Sequence, residues 1–439
     1  MKKGVKLISI LAVGALLAGC GGDATDVGGA QDMVTTPESV VTTDTTVKSD
    51  ESETSDVEAT EQVKIVEVPA FSSVNIPESE ALSFVADLGA GWNLGNTFDA
   101  TGSSKNEMDL ETAWCGNITT KETIQAVADA GFKTIRIPVS WHNHVDDSYN
   151  ISEQWLNRVQ EVVDWAMEAD LYVIINIHHD NEVGFVYPSY EHLEVSKQYV
   201  GAIWGQLAKR FADYDEKLIF ETLNEPRMKD TVYEWYVSPA TDTGKEAIDC
   251  VNQLNQVCVD AIRANGKGFN TSRYIMVPGY CAAADFALVD NFVIPTDNGA
   301  TKENRILVSV HAYTPYNFAL AGETDDSSVT EFSIAGKKGT KDIENFISKL
   351  YDKFVSKGIG VVIGEFGARA KSNNVESREE FAAFYVACAR HYGISACWWD
   401  NNLFVGTGEK FGLLKRLDYT WTYPGIVGQL IYYSTDRDE

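Results

Sequence analysis

Positive charge is scarce in this chain. Lys and Arg number 36 against 64 Asp and Glu, giving a formal net charge of −28. So acidic a body repels phosphate backbones, which excludes a nucleic-acid partner and favours a neutral or cationic ligand. The Gly-x-Gly-x-x-Gly turn of dinucleotide-binding folds is missing. So is Cys-x-x-Cys, which leaves a dithiol redox motif or a clustered zinc site without its ligands. Past the N-terminus no apolar run reaches the ~18 residues that span a bilayer. Aromatics, by contrast, are plentiful: 19 Tyr, 19 Phe and 10 Trp among 439 residues supply far more apolar area than a disordered chain carries. The length suits two to four ordinary domains or one large α/β barrel.

The acidity is unevenly spread. Residues 1–20 carry +3, residues 21–62 carry −10 and the remainder −21. Lys2, Lys3 and Lys6 precede an apolar run from Leu7 to Ala18, too short to cross a membrane and patterned as a signal peptide. It ends in Leu17-Ala18-Gly19-Cys20, which resembles the bacterial lipobox and implies cleavage after residue 19 and lipid on Cys20. An ordinary signal peptide is the alternative. Residues 20–62 contain no Phe, Trp or Tyr and are dense in Thr, Ser, Asp and Glu, so they are expected to form a disordered acidic linker. The expected product is an exported cell-envelope lipoprotein that meets the membrane only through Cys20, or else a secreted protein. Six further cysteines, Cys115, Cys250, Cys258, Cys281, Cys388 and Cys397, have no assignable pairing. Cys250 and Cys258 lie about 12 Å apart along a helical pattern, beyond disulfide reach.

From residue 63 to 439 the pattern alternates. Apolar, β-branched runs occur at Ala90–Leu94, Thr134–Val139, Tyr172–His178, Leu218–Leu223, Tyr274–Pro278, Ile306–His311, Val361–Glu365 and Ser395–Trp399. Between them, residues 120–130, 153–169, 191–211, 244–264, 341–357 and 377–392 place apolar residues three or four apart. Only the segment after Pro278 is short and weakly helical. Thr119 with Glu122, and Ser377 with Glu380, read as capping boxes. Uniformly apolar strands are buried on both faces, hence parallel and covered by helices. Eight βα units predict a single (β/α)₈ barrel over 63–439.

The polar residues gather at strand ends: Asn93, Arg136, His178, His179, Asn224, Glu225, His311, Tyr313, Glu365 and Trp399. A parallel barrel puts all these ends on one face, the face where such folds build their sites. Glu225 and Glu365 crown the fourth and seventh strands. Glycoside hydrolysis needs such a pair, one carboxyl to protonate the leaving oxygen and one ionised to meet the anomeric carbon. Arg136 and Tyr313 are candidates for keeping the second one ionised. Singly, each motif reads equally well as structure: Asn-Glu-Pro is a common turn, and Trp398-Trp399 could be core. His178 and His179, as adjacent strand residues, are expected to point to opposite faces, against a shared metal. His142 and His144 could share a strand face but lack a third ligand. Trp114, Trp141, Trp235 and Trp421 are candidates for stacking on further sugars, or for packing.

Jointly, Gly91-Trp-Asn-Leu-Gly-Asn-Thr97, Thr134-Ile-Arg-Ile-Pro-Val-Ser-Trp141, Ile174-Ile-Asn-Ile-His-His-Asp180, Phe220-Glu-Thr-Leu-Asn-Glu-Pro226, Val310-His-Ala-Tyr313, Gly364-Glu-Phe-Gly367 and Trp398-Trp-Asp-Asn401 resemble glycoside hydrolase family five. This is the cellulase family of the clan A (β/α)₈ barrels, and the likeness is to its bacterial endo-β-1,4-glucanase and xyloglucanase branch. The resemblance implies a retaining double displacement on internal β-1,4-glucosidic bonds, with Glu365 as nucleophile and Glu225 as acid and base. It implies that Asn224 holds the sugar 2-hydroxyl and that Arg136 and Tyr313 surround the nucleophile. Asn93, His178, His179 and His311 are then expected to line the cleft, and Trp399 to lie under the sugar. No metal or cofactor is implied, and the expected partner of a monomer is β-glucan. Xyloglucan, mixed-linkage glucan and mannan are alternative substrates on the same scaffold. A sugar-binding lipoprotein, which would show two open-sheet lobes, is the alternative outside enzymes.

Overall fold

Strands apolar on both faces need cover inside and out, and the chain provides it by closing its sheet on itself. The computed structural model of the protein describes residues 63–435, so the signal peptide, Cys20 and the acidic linker expected from the sequence lie outside the described residues. Strands β1 (Ala90–Leu94), β2 (Thr134–Ile137), β3 (Tyr172–Asn176), β4 (Leu218–Glu221), β5 (Ile275–Ala283), β6 (Ile306–His311), β7 (Val361–Phe366) and β8 (Ser395–Asp400) pair in chain order, all parallel, and β8 returns to β1. The helices are α1 (Glu80–Asp87), α2 (Lys121–Asp129), α3 (Glu153–Glu168), α4 (Leu193–Arg210), α5 (Asp242–Ala264), α6 (Ala284–Leu288), α7 (Tyr316–Ala319), α8 (Thr340–Lys353), α9 (Val375–His391) and α10 (Pro424–Ser434). This is the (β/α)₈ barrel read from the sequence. Every predicted strand is present, with β2, β3 and β4 ending two residues earlier and β5 running five residues later than expected.

Two cores hold most of the buried apolar residues, with a smaller third cluster around Met228, Tyr280 and Phe286. The outward strand faces, including Ile135, Ile175, Phe220, Val310, Ile363 and Trp398, pack under the helices against Ile124, Val159, Ile203, Leu254, Phe381 and Leu430. Inside the barrel, Ile174, Ile219, Met276, Leu307, Val362 and Cys397 pack with Ala81, Val85 and Leu88 of α1 and its C-cap. Helix α1 therefore floors the barrel from below, each large apolar side chain contributing about 1.5–3 kcal/mol by burial. The short α6 after β5 matches the weak periodicity there.

Both expected capping boxes are displaced. Thr120, not Thr119, caps α2, its hydroxyl accepting from the Thr123 N–H, while the Thr119 N–H donates to Glu111. Helix α9 begins after Asn374, which places Ser377 inside the first turn, and Glu380 instead accepts from the Ile334 N–H. Periodicity also missed α1, α10 and a small hairpin, β9 (Leu414–Lys415) with β10 (Thr420–Trp421). Helix α10 is too uniformly apolar to show a stripe. All six described cysteines are free thiols. Among the described residues no helix is long and apolar enough to cross a membrane.

Candidate active site

Successive inward positions along each strand change character abruptly. Two residues above the apolar floor, Arg136, Asn176, Glu221 and Ser309 all point inward and are wholly buried. Arg136 organises this layer. Its Nε donates to Glu221 (2.8 Å), Nη1 to Asn93 (2.9 Å) and Glu365 (2.8 Å), and Nη2 to Asn224 (2.7 Å). Ser309 and Asn176 donate to the two Glu221 oxygens at 2.6 and 2.8 Å. A buried charge is tolerated only when paired and hydrogen-bonded, and here one guanidinium serves two carboxylates. Burial alone would favour losing the Arg136 proton, but the charges of Glu221 and Glu365 outweigh it and raise its pKa.

Glu365 reaches this layer through an irregularity. Between Ile363 and Glu365, β7 advances two residues while β6 advances one, and β8 confirms the extra residue: Ile363 pairs with Ala396 but Phe366 with Trp398. Such a bulge re-aims a side chain. Gly364 and Glu365 both face inward, and Phe366 returns to the outer core. A Cβ on Gly364 would meet His311 Nε2 at 3.2 Å and Glu221 Oε1 at 3.3 Å, so the polar layer leaves that position little room. Glu365 then accepts from Tyr313 Oη at 2.9 Å besides Arg136. Burial, reinforced by the charges of Glu365 and Glu225, holds the Tyr313 phenol well above its ordinary pKa, so it stays a donor.

Glu225 lies beyond β4, where the Asn224 N–H donates to the Ile177 carbonyl at 2.8 Å. The Glu225 carboxylate pairs with His311 Nδ1 at 2.9 Å and with Arg227 Nη1 at 3.3 Å. His311 Nδ1 also lies 3.6 Å from Glu365 Oε2. The ligating atoms of Glu225, His311 and Glu365 fall within 4.8 Å of one another, so the two carboxyl groups expected to converge do converge. Burial opposes both charges, yet Glu225 is pulled below and His311 raised above its ordinary value because each faces the other's charge, with Arg227 and Glu365 adding to it.

The remaining predicted residues divide. Trp399 lies at the mouth with its ring parallel to His178, 5.8 Å away and tilted by 2°, whereas Trp398 is core and donates to the Phe411 carbonyl. That settles which tryptophan of the pair faces the site. Asn93, expected to contact substrate, is enclosed: its amide is spent on Arg136 and the Gly364 carbonyl. His178 and His179 sit past the end of β3, so strand alternation does not separate them, and their rings lie 4.3 Å apart, which corrects the opposite-face expectation. Burial depresses both imidazoles, His179 to about 4, leaving them neutral at neutral pH. They form a second ligand-type cluster with Asp99, but that carboxylate is already committed to the Asn96 and Thr97 N–H groups at 3.0 and 2.6 Å. His142 and His144 occupy a 3₁₀ turn rather than a strand, bonded to Asp180 and Glu107. Trp141 is buried and bonded to the Asn176 carbonyl, so it cannot stack on a sugar. Trp114 and Trp235 are exposed, the first beside His179 and the second under the Arg227 guanidinium.

Sequence reasoning missed Glu221, Asn176 and Arg227. Glu221 stood inside an apolar run, but its spacing of two from Ile219 marks it as inward-facing, level with Arg136.

The pattern described as Cellulase (glycosyl hydrolase family 5) matches residues 98–404. Endoglucanase A of Clostridium longisporum is 41% identical over 356 residues, which is 80% of this chain, and the match spans 65% of that relative's length. Among solved structures, a family lichenase from Caldicellulosiruptor sp. F32 superposes with a TM-score of 0.83 at 53% identity, covering 85% of this chain and 100% of that one. A broad-specificity endoglucanase from Ruminococcus champanellensis with bound cellotriose gives a TM-score of 0.72 at 38% identity, covering 82% of this chain and 100% of that one. With a closed eight-stranded barrel, two glutamates at its mouth and a family pattern over most of its body, the chain belongs to glycosyl hydrolase family 5.

Proposed function

We propose that the protein is an endo-acting, retaining β-1,4-glucanase in which Glu365 is the nucleophile and Glu225 the general acid and base. The observation that carries this reading is the approach of the two carboxyl groups to within 4.8 Å around His311. Retention needs a short separation, about 5–5.5 Å, whereas inversion leaves room for a water. Arg136 and Tyr313 keep Glu365 ionised for attack on the anomeric carbon. The charges of Glu365 and Glu225 favour the protonated form of His311, and transfer of that proton across the 2.9 Å bond would arm Glu225 to protonate the leaving oxygen. Glu225, then ionised, takes a proton from the water that releases the glycosyl-enzyme. Neutral His178 and His179 offer hydrogen bonds to sugar hydroxyls without attracting counter-ions, and Trp399 offers an apolar face.

Mixed-linkage glucan is a second substrate within this reading, favoured by the 53% identity to a lichenase. The test is release of reducing ends from carboxymethyl cellulose, lichenan, xyloglucan and mannan. Hydrolysis of the first two is expected, and no product from any polymer overturns the reading. Export and lipidation at Cys20 are proposed from the lipobox-like sequence. Cys20→Ser is expected to move the protein from the membrane fraction to the medium, and an unchanged membrane fraction counts against the anchor.

A further inference from the structure

Away from the mouth, a groove of about 670 Å³ opens on the outer wall of the barrel between its first and last flanking helices, α2 and α10. Glu122, Gln125, Ala126, Asp129 and Ala130 form one wall, a single stripe of α2 at three- and four-residue spacing. The stripe is about 12 Å long. Val427 and Gly428 of α10 form the other wall, and Tyr419 and Trp421 come from the β9–β10 hairpin. Both aromatics are fixed in place. The Tyr419 hydroxyl pairs with Thr120 Oγ1 at 3.1 Å, and the Trp421 ring is backed by Phe132 at 5.7 Å and 29°. Ala126 and Ala130 keep the floor low, Gly428 packs under the Val63 side chain, and Glu122, Gln125 and Asp129 are exposed along one edge.

A pyranose chain has apolar faces and a rim of hydroxyls. Two oriented aromatics opposite a row of carboxylate and amide acceptors answer both features. The charge of the groove narrows the choice of occupant. It is lined by two acids and no Lys or Arg. The chain's own segment 21–62 would bring ten net negative charges against them, and a second copy 28. A neutral polymer meets no such repulsion. We propose that this groove binds a stretch of neutral β-glucan, separately from the catalytic mouth. The identity of the polymer rests on the glucanase reading; the groove's geometry does not.

The test compares the full chain with Trp421→Ala and with the double substitution Gln125→Ala/Asp129→Ala. Affinity electrophoresis in gels containing hydroxyethyl cellulose measures polymer binding, and cellotetraose hydrolysis reports on the mouth alone. Both variants are expected to bind the polymer about threefold to tenfold more weakly, the contribution of one aromatic face or its polar rim. Their kcat/KM on cellotetraose stays at the wild-type value. The double variant touches only exposed side chains, so a folding defect of Trp421→Ala leaves the test intact. Wild-type retardation in the double variant overturns the groove proposal, as does an equal loss on cellotetraose. If the wild type hydrolyses glucan while the variants bind like it, the groove alone fails. If the wild type neither cleaves nor is retarded, the glucanase reading fails with it.

Discussion

Inside the barrel, two layers one inward position apart are held by opposite physics. The lower layer, Ile174, Ile219, Leu307 and Val362 over α1, is stabilised by area removed from water, which has no direction and tolerates reshuffling. The upper layer, Arg136, Asn176, Glu221 and Ser309 under Glu365, is stabilised by donors matched one to one with acceptors. There the energy lies in completeness: remove one partner and another charge is left buried without it. The lower layer makes the barrel stable, and the upper one makes it particular.

Substitutions can break or sharpen that contrast. The largest effect is expected at the top: Glu365→Ala and Glu225→Ala should each lower turnover on lichenan at least ~10³-fold. Comparable activity in both variants would remove the site from this mouth. Next, Glu221→Ala strips Arg136 of one of its two carboxylates, and urea unfolding should show a loss of about 3–5 kcal/mol with reduced turnover. A neutral outcome would mean the upper layer is as forgiving as the lower. Leu307→Ala should cost a similar 2–5 kcal/mol by leaving a cavity. The contrast lies in the conservative change: Leu307→Met should cost less than ~1.5 kcal/mol and keep turnover, while Arg136→Lys should lose most activity because an ammonium cannot hold four partners in a plane.

The smallest effect is a pH dependence of stability. Glu225 lies below its ordinary value of 4.5, so its contribution is present above that pH and lost as the pH falls through the lowered value. His311 lies above its ordinary value of 6.5, so its contribution is present below that pH and lost as the pH rises through the raised value. The melting-temperature gap between wild type and Glu225→Gln should therefore be widest between these two values and narrow on either side. A gap independent of pH would show that the pair does not titrate as an ion pair.

The strands were legible in the sequence because burial on both faces leaves uninterrupted β-branched runs, and the mouth because ionisable groups ended them. Glu225, Glu365, His311 and Tyr313 were found for that reason. Glu221 and Asn176 were not, since a lone polar residue within an apolar run looks like noise until the opposite strand supplies Arg136. Trp141 misled because it stands near the end of an apolar strand run, as Trp399 does, yet the Asn176 carbonyl draws its indole into the core. The caps slipped by one residue at α2, where adjacent Thr119 and Thr120 compete for the helix end, and by three at α9, where the helix starts after Asn374 with no side-chain cap.

The extra residue in β7 ties the chemistry to a matter of counting. With strict alternation, Glu365 would face the helices beside Trp398, and the cylinder would still close with its floor intact. The same residues paired without the bulge would thus give a barrel of ordinary appearance with Phe366 turned inward and no attacking group. Descendants of this barrel can lose their catalytic power without losing any of the residues that perform it.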